Sequence, residues 1–138
     1  MTKGQSIPAE LRSFIAAQPL FKPLARDSMD MLMQDGLFFF YHPSDYIIEE
    51  SQKNPYLFLI LKGLAEARIN KTSVGKIEAG ELAGEISMAG ISPPVGSVVA
   101  DTEVEAMAFP LATINHIAKA DRRFFQRLRE AGFQRISG

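Results

Sequence analysis

The chain has 138 residues, 46% of them hydrophobic and 22% charged, with a net charge of −1. That length suits one domain with its own core, and the charge balance excludes a protein that grips nucleic acid through bulk charge. With no cysteine, disulfides, thiolate metal sites, iron–sulfur clusters and a Cys nucleophile are excluded.

The N-terminus, MTKGQSIPAELRSF, has no signal-peptide core, and no run approaches the ~20 apolar residues that span a bilayer. The expectation is a soluble, cytoplasmic chain with no membrane span. Behind Pro8, the residues Leu11, Phe14 and Ile15 recur at helical spacing. After Pro19 and Pro23, a second stripe of Met29, Leu32 and Met33 predicts another helix, which Gly36 ends as a C-cap. Residues 1–36 are thus read as N-terminal helices.

At Leu37 the texture changes. LFFFY suits a strand buried on both faces. HPSD is a turn, YIIEE a short strand, SQKNP a turn, and YLFLILKG a longer apolar strand ended by Gly63. AEARI alternates, NKTS reads as a hairpin turn, and VGKIEAG returns; SVVAD and VEAMAF supply two more strands. The predicted fold class is mainly β with flanking helices: an antiparallel roll of about eight strands over 37–110, jelly-roll-like, a double-stranded β-helix. From Leu111 to Gly138 the pattern is helical. Phe125, Leu128, Gly132 and Ile136 fall on one side with Phe124 and Ala131 beside them. Six basic residues (Lys119, Arg122, Arg123, Arg127, Arg129, Arg135) stand against Asp121 and Glu130 on the rest.

Between two late strands lies GELAGEISMAGISPPVGSVVA, residues 80–100, with Gly80, Gly84, Gly90 and Gly96 at intervals and no Lys or Arg. Gly80-Glu81-Leu82-Ala83-Gly84-Glu85, then ISMAGIS, then Pro93-Pro94-Val95-Gly96-Ser97-Val98-Val99-Ala100 resembles, without a gap, the phosphate-binding cassette of the cyclic nucleotide-binding domain family. That cassette runs roughly Gly-Asp-x-x-Gly-Glu, a short helix, then Pro-Arg-x-x-Thr-Val-x-Ala. The flanking stretches resemble the family in the same order, so the likeness covers residues 1–138 as a single domain with the cassette at 80–100.

The resemblance implies a ligand, cAMP or cGMP, held by Gly84, Glu85, Ile86, Ser87, Pro94, Val95 and Ser97. A short helix from about 84 to 90 would turn its N–H groups to the cyclic phosphate. Glu85 would accept a hydrogen bond from the ribose 2′-hydroxyl; the alternative reading of Glu85 is a helix-start acid that complements the dipole, with Ser97 an ordinary strand residue. Pro94 stands where the family has its phosphate-binding arginine, and proline offers neither charge nor backbone N–H. Losing a charge-assisted hydrogen bond of roughly 1.5–3 kcal/mol weakens binding by about one to two orders of magnitude. A replacement cation could come from Arg68, Lys76 or the C-terminal helix.

The expected function is therefore a small-molecule-sensing regulatory domain with weak or altered nucleotide binding. The alternative is a degenerate domain that binds no nucleotide and serves as a dimerisation or protein-interaction module. An enzyme of the cupin kind would need a His-x-His metal site, whereas His42 and His116 stand far apart. No catalytic residue, metal ligand or cofactor is expected. In the family the C-terminal helix pairs across a two-fold axis, which predicts a homodimer with Leu128 in its seam. The chain ends at Gly138, before a helix-turn-helix could begin, so no DNA-binding domain is expected in it.

Overall fold

Continuous apolar strands arise where both faces of a sheet are covered, and the central strands show why. The computed structural model describes residues 5–50, 52, 54–84 and 96–137. Its strands are β1 (Gln5–Ser6), β2 (Leu37–Tyr41), β3 (Tyr46–Ile48), β4 (Tyr56–Lys62), β5 (Leu64–Ile69), β6 (Thr72–Glu78), β7 (Leu82–Ala83), β8 (Ser97–Ala100) and β9 (Val104–Pro110). One sheet runs β1-β2-β9-β4-β7 and the other β3-β8-β5-β6, with every pairing antiparallel. The strands read from the sequence are β2–β6, β8 and β9. β1 and β7, of two residues each, are too short to show alternation and were not anticipated.

In β4, Leu57 and Leu59 face the helices while Phe58 and Ile60 face the roll interior. β9 divides likewise, with Met107 and Phe109 on the helical side and Ala106 and Ala108 inside. The inward alanines lie opposite bulk, with Phe39 and Ile60 across from Ala106 and Phe58 across from Ala108. Small against large fills the interior without overlap.

The turns follow their chemistry. Asn70 and Lys71 both take positive φ (51° and 67°), the two-residue geometry that joins twisted strands. In HPSD, the His42 N–H donates to Asp45 Oδ2 at 2.8 Å, and this bond holds the Asp45 carboxyl below its usual range.

A 3₁₀ turn (Ala9–Leu11) leads into α1 (Arg12–Ala16), followed by α2 (Arg26–Asp35), α3 (Leu111–Ala120) and α4 (Arg122–Ser137). The C-terminal segment is thus two helices. Asp121 breaks them, its Oδ1 accepting the N–H groups of Arg123 and Phe124 at 3.0 and 3.1 Å, as an N-cap does. α2 and α3 are tied by Thr113 Oγ1 donating to Asp35 Oδ2 at 2.7 Å. Gly36 does occupy the C-cap of α2, but its φ of −67° is open to any residue. Glycine is needed there for space, since a Cβ would lie 2.9 Å from both Ile7 and Phe109 side chains.

One expectation about α4 is corrected. Phe124 is 0% and Leu128 1% exposed within this chain. They join Ile15, Phe21, Leu32, Phe109, Ile114 and Ile117 in the core under the helices, where Phe21 meets the Phe109 ring edge-on at 5.2 Å and stacks with Phe124 at 6.5 Å. Leu128 is therefore not free to form a dimer seam. Phe125 remains 39% exposed, with the Arg129 guanidinium over its ring. The side chains of Ala131, Gly132 and Ile136 lie outside those described.

Candidate functional site

The glycine-rich stretch enters from β7 and leaves into β8, and both junctions are pinned to the roll. Gly84 has φ +98°, and a Cβ on it would lie 2.8 Å from both the Tyr56 carbonyl oxygen and Asn54 Nδ2. Only glycine meets both demands. At the exit, a Cβ on Gly96 would crowd the Arg68 carbonyl and the Ile69 side chain. Ser97, the first residue of β8, accepts a hydrogen bond from the Glu50 N–H at 2.9 Å. Its hydroxyl thus ties the cassette's exit to the β3–β4 loop. Glu85, Ile86, Ser87, Pro94 and Val95, together with the expected helical turn, lie outside the described residues.

Two residues of the β3–β4 loop were missed by sequence reasoning, which read Asn54 only as part of the turn SQKNP and Glu50 only as the end of the strand YIIEE. Asn54 clasps the start of β4: its Nδ2 donates to the Tyr56 carbonyl at 2.6 Å and its Oδ1 accepts the Tyr56 N–H at 3.1 Å. Asparagine two residues ahead of a strand is a signal for such a clasp. Glu50 receives the Asn70 N–H on Oε1 at 3.3 Å, linking the loop to the β5–β6 hairpin.

Beside this loop a half-open concavity of about 360 Å³ runs into the roll, lined by Phe39, Tyr41, Ile48, Glu49, Asn54 and Tyr56 among others. Four of its rings close a cycle. Centroid distances are 6.1 Å for Phe39–Tyr41, 6.4 Å for Tyr41–Phe58, 5.7 Å for Phe58–Tyr56 and 5.8 Å for Tyr56–Phe39. Burial, reinforced by Tyr56 and Asp45, pushes the Tyr41 hydroxyl pKa up, so it stays neutral.

Two of the cations named as replacements for the arginine, Arg68 and Lys76, are paired with carboxylates. Ala65 packs in the roll interior with Ala67 against it, so Glu66 and Arg68 on the same strand point outward. There Arg68 Nε pairs with Glu66 Oε1, and Lys76 Nζ bridges Glu66 Oε2 and Asp101 Oδ2 at 2.7 Å each. The Lys76 and Arg68 hydrogen bonds draw the Glu66 carboxyl down to about 2. On α4, Arg127 Nη2 donates to the Leu20 carbonyl at 3.3 Å. His42 is exposed and meets the Phe40 ring edge-on, and His116 is exposed on α3. Among the described residues, no group of three or more His, Cys, Asp or Glu stands close enough to hold a metal ion, and no helix is long and apolar enough to cross a membrane.

An antiparallel roll with helices at both ends and a glycine-bounded insertion between its late strands defines a class. The model of the cyclic nucleotide-binding domain family matches residues 38–121, more than half the chain, and the chain belongs to that family. Among solved structures it is similar to the C-linker/CNBHD of zELK channels, crystallized in the presence of cAMP. That likeness has TM-score 0.72 and 19% identity, covering 90% of this chain and 68% of that one. It is also similar to a protein of Geobacter metallireducens GS-15 provisionally named as cyclic nucleotide-binding, with TM-score 0.76 and 17% identity, covering 93% of this chain and 95% of that one. At such identities the likeness shows the fold. No curated protein matches the chain.

Proposed function

We propose that this chain is a regulatory sensing module of the cytoplasm that takes a cyclic nucleotide, cAMP or cGMP, with weak affinity. The observation that carries the reading is the pinning of both cassette ends. Gly84 on Asn54 and Tyr56, and Gly96 on Arg68, are close approaches that exclude any side chain. They fix where the chain leaves β7 and where it enters β8, which supports a cassette between them that presents backbone N–H groups to a phosphate. Pro94 then explains the weakness, since it contributes no donor where the family has an arginine.

The reading assigns no catalytic role to any residue. It includes a homodimer through the C-terminal helix, confined to the face around Phe125 because Phe124 and Leu128 are already covered.

Calorimetric titration with cAMP and with cGMP tests the proposal, using the wild type and Pro94→Arg. Weak binding by the wild type, tightened about tenfold or more by Pro94→Arg, is the expected pattern, as a restored charge-assisted bond requires. The commitment of Arg68 and Lys76 to Glu66 and Asp101 favours a second reading, in which the fold is kept as a protein-interaction or dimerisation module. Heats at the level of dilution for both proteins would establish that reading and end the first.

A further inference from the structure

Residues along a strand turn their N–H and C=O groups to one neighbour and the other in alternation, and β4 lies between β9 and β7. On the β9 side the Pro55 carbonyl accepts the Leu111 N–H at 2.9 Å. On the β7 side the Ile60 N–H donates to the Glu81 carbonyl at 3.0 Å, and the Ile60 carbonyl accepts the Gly80 N–H at 2.7 Å. Ile60, Phe58 and Tyr56 therefore all turn their backbone groups toward β7. Phe58 lies opposite Ala83 and Leu59 opposite Leu82. The same register carried further would set Glu85 opposite Tyr56.

β7 ends at Ala83 instead, and a side chain meets Tyr56. Asn54 Nδ2 donates to the Tyr56 carbonyl at 2.6 Å while its Oδ1 accepts the Tyr56 N–H at 3.1 Å. A carboxamide offers a donor and an acceptor like those of a peptide unit, so one side chain satisfies both groups that a longer β7 would have paired. Gly84 is the point of departure. Its φ of +98° is no strand conformation, and a Cβ there would lie 2.8 Å from both Asn54 Nδ2 and the Tyr56 carbonyl oxygen. The amide thus abuts the residue at which the chain leaves the sheet.

We propose that Asn54 is a positioning residue of the ligand site: its amide ends the β4–β7 ladder and turns the chain out of the sheet at Gly84. A backbone cradle needs N–H groups that are free of sheet pairing, and an N–H spent on Tyr56 could not serve a phosphate. Asn54 acts through Tyr56 and Gly84, not through contact with ligand. The inference rests on the reading of this chain as a cyclic nucleotide sensor and adds to it a residue outside the cassette.

The test compares Asn54→Ala with Thr113→Ala, which removes the 2.7 Å bond to Asp35 between α2 and α3 and so serves as a control for a general loss of stability. Amide exchange is followed by NMR in the full ¹⁵N-labelled chain without ligand, the remaining spectrum checking the fold. In Asn54→Ala the vacated Tyr56 carbonyl is open to the Glu85 N–H, so exchange at Glu85 should slow by about fivefold or more, the protection of one ordinary hydrogen bond. Mere loosening would speed it, and Thr113→Ala should not slow it. Calorimetry in the Pro94→Arg background should show cAMP and cGMP affinity lowered about fivefold or more by Asn54→Ala and held by Thr113→Ala. Glu85 exchange that is unchanged or faster in Asn54→Ala would overturn the proposal, as would an affinity lowered no more than by Thr113→Ala. If no protein in the set binds either nucleotide, the functional reading falls, while Glu85 exchange still decides whether Asn54 ends the ladder.

Discussion

Leu128 separates two accounts of the C-terminal helix. If it faced a second copy, Leu128→Glu would free the monomer and leave the roll folded. The structure instead places it 1% exposed in the core beneath the helices, in one cluster with Phe21, Phe109 and Phe124. Leu128→Ala therefore removes buried methyl groups and leaves a cavity among rigid rings, at a cost of about 3 kcal/mol within the usual range of about 2–5. For a chain of this size that lowers the melting temperature by roughly 10–15 °C. Leu128→Glu is harsher, because an unpaired buried carboxylate costs several kcal/mol against a total stability of about 5–15. That variant should be largely unfolded at neutral pH. Circular dichroism melts at two protein concentrations tenfold apart provide the assay. The Leu128→Ala loss should be independent of concentration, since the lost packing lies within one chain. A Leu128→Glu protein that melts like the wild type while light scattering shows it passing from dimer to monomer would refute this account.

Two further outcomes follow from the site's surroundings. Ser97→Ala leaves the part-buried Glu50 N–H without its 2.9 Å acceptor; it should cost about 1 kcal/mol in urea denaturation and speed hydrogen exchange at Glu50. Glu66 has a folded pKa of about 2, below the usual 4.5, because Lys76 and Arg68 bond its charged form. Between those values the unfolded chain binds the extra proton. The stability from Glu66 is therefore complete above pH about 4.5 and is lost as pH falls toward about 2, a slope that Glu66→Gln should flatten in acid denaturation curves.

Much of the roll was legible because its cause is local. The run Leu57-Phe58-Leu59-Ile60 reads as an apolar strand and is buried on both faces, one toward the helices and one toward the roll interior, whereas LFFFY, expected to be buried on both faces, is buried only at Phe39 and Tyr41. NKTS announces a hairpin turn through Asn70, and the structure narrows it to Asn70-Lys71, with Thr72 and Ser73 already in β6. The failures have a shared origin in distance along the chain. Ser97 and Glu50 are 47 residues apart, and no spacing within either segment reveals that bond. α4 shows an apolar stripe, but a stripe does not say whether the chain's own core or a second copy will cover it. Gly36 was read as a backbone device, and it is a packing one. At the site, Gly84 and Ser97 were found through the cassette pattern, whereas Asn54 and Glu50, which hold that cassette's ends, carry no such pattern.

The geometry of β5 bears most directly on what the site can bind. A strand residue cannot change faces unless its register slips by one, and a slip here would drive Ala65 out of the interior and Glu66 into it. The unbroken pairing of Ala65–Arg68 with β8 fixes that register, while the pairing with β6 shifts between Ala67 and Arg68. Arg68 and Lys76 are thus held on the outer face, each beside a carboxylate, and a phosphate bound on the interior side draws no direct bond from either. Restoring charge by freeing them, for example with Glu66→Gln, should leave cyclic nucleotide affinity where it was. Position 94 differs in kind: it lies two residues before Gly96, whose seat against Arg68 fixes the path of the chain leaving the cassette. On the proposed reading, an arginine introduced there would supply the missing donors directly, so Pro94→Arg should tighten cyclic nucleotide binding where Glu66→Gln does not.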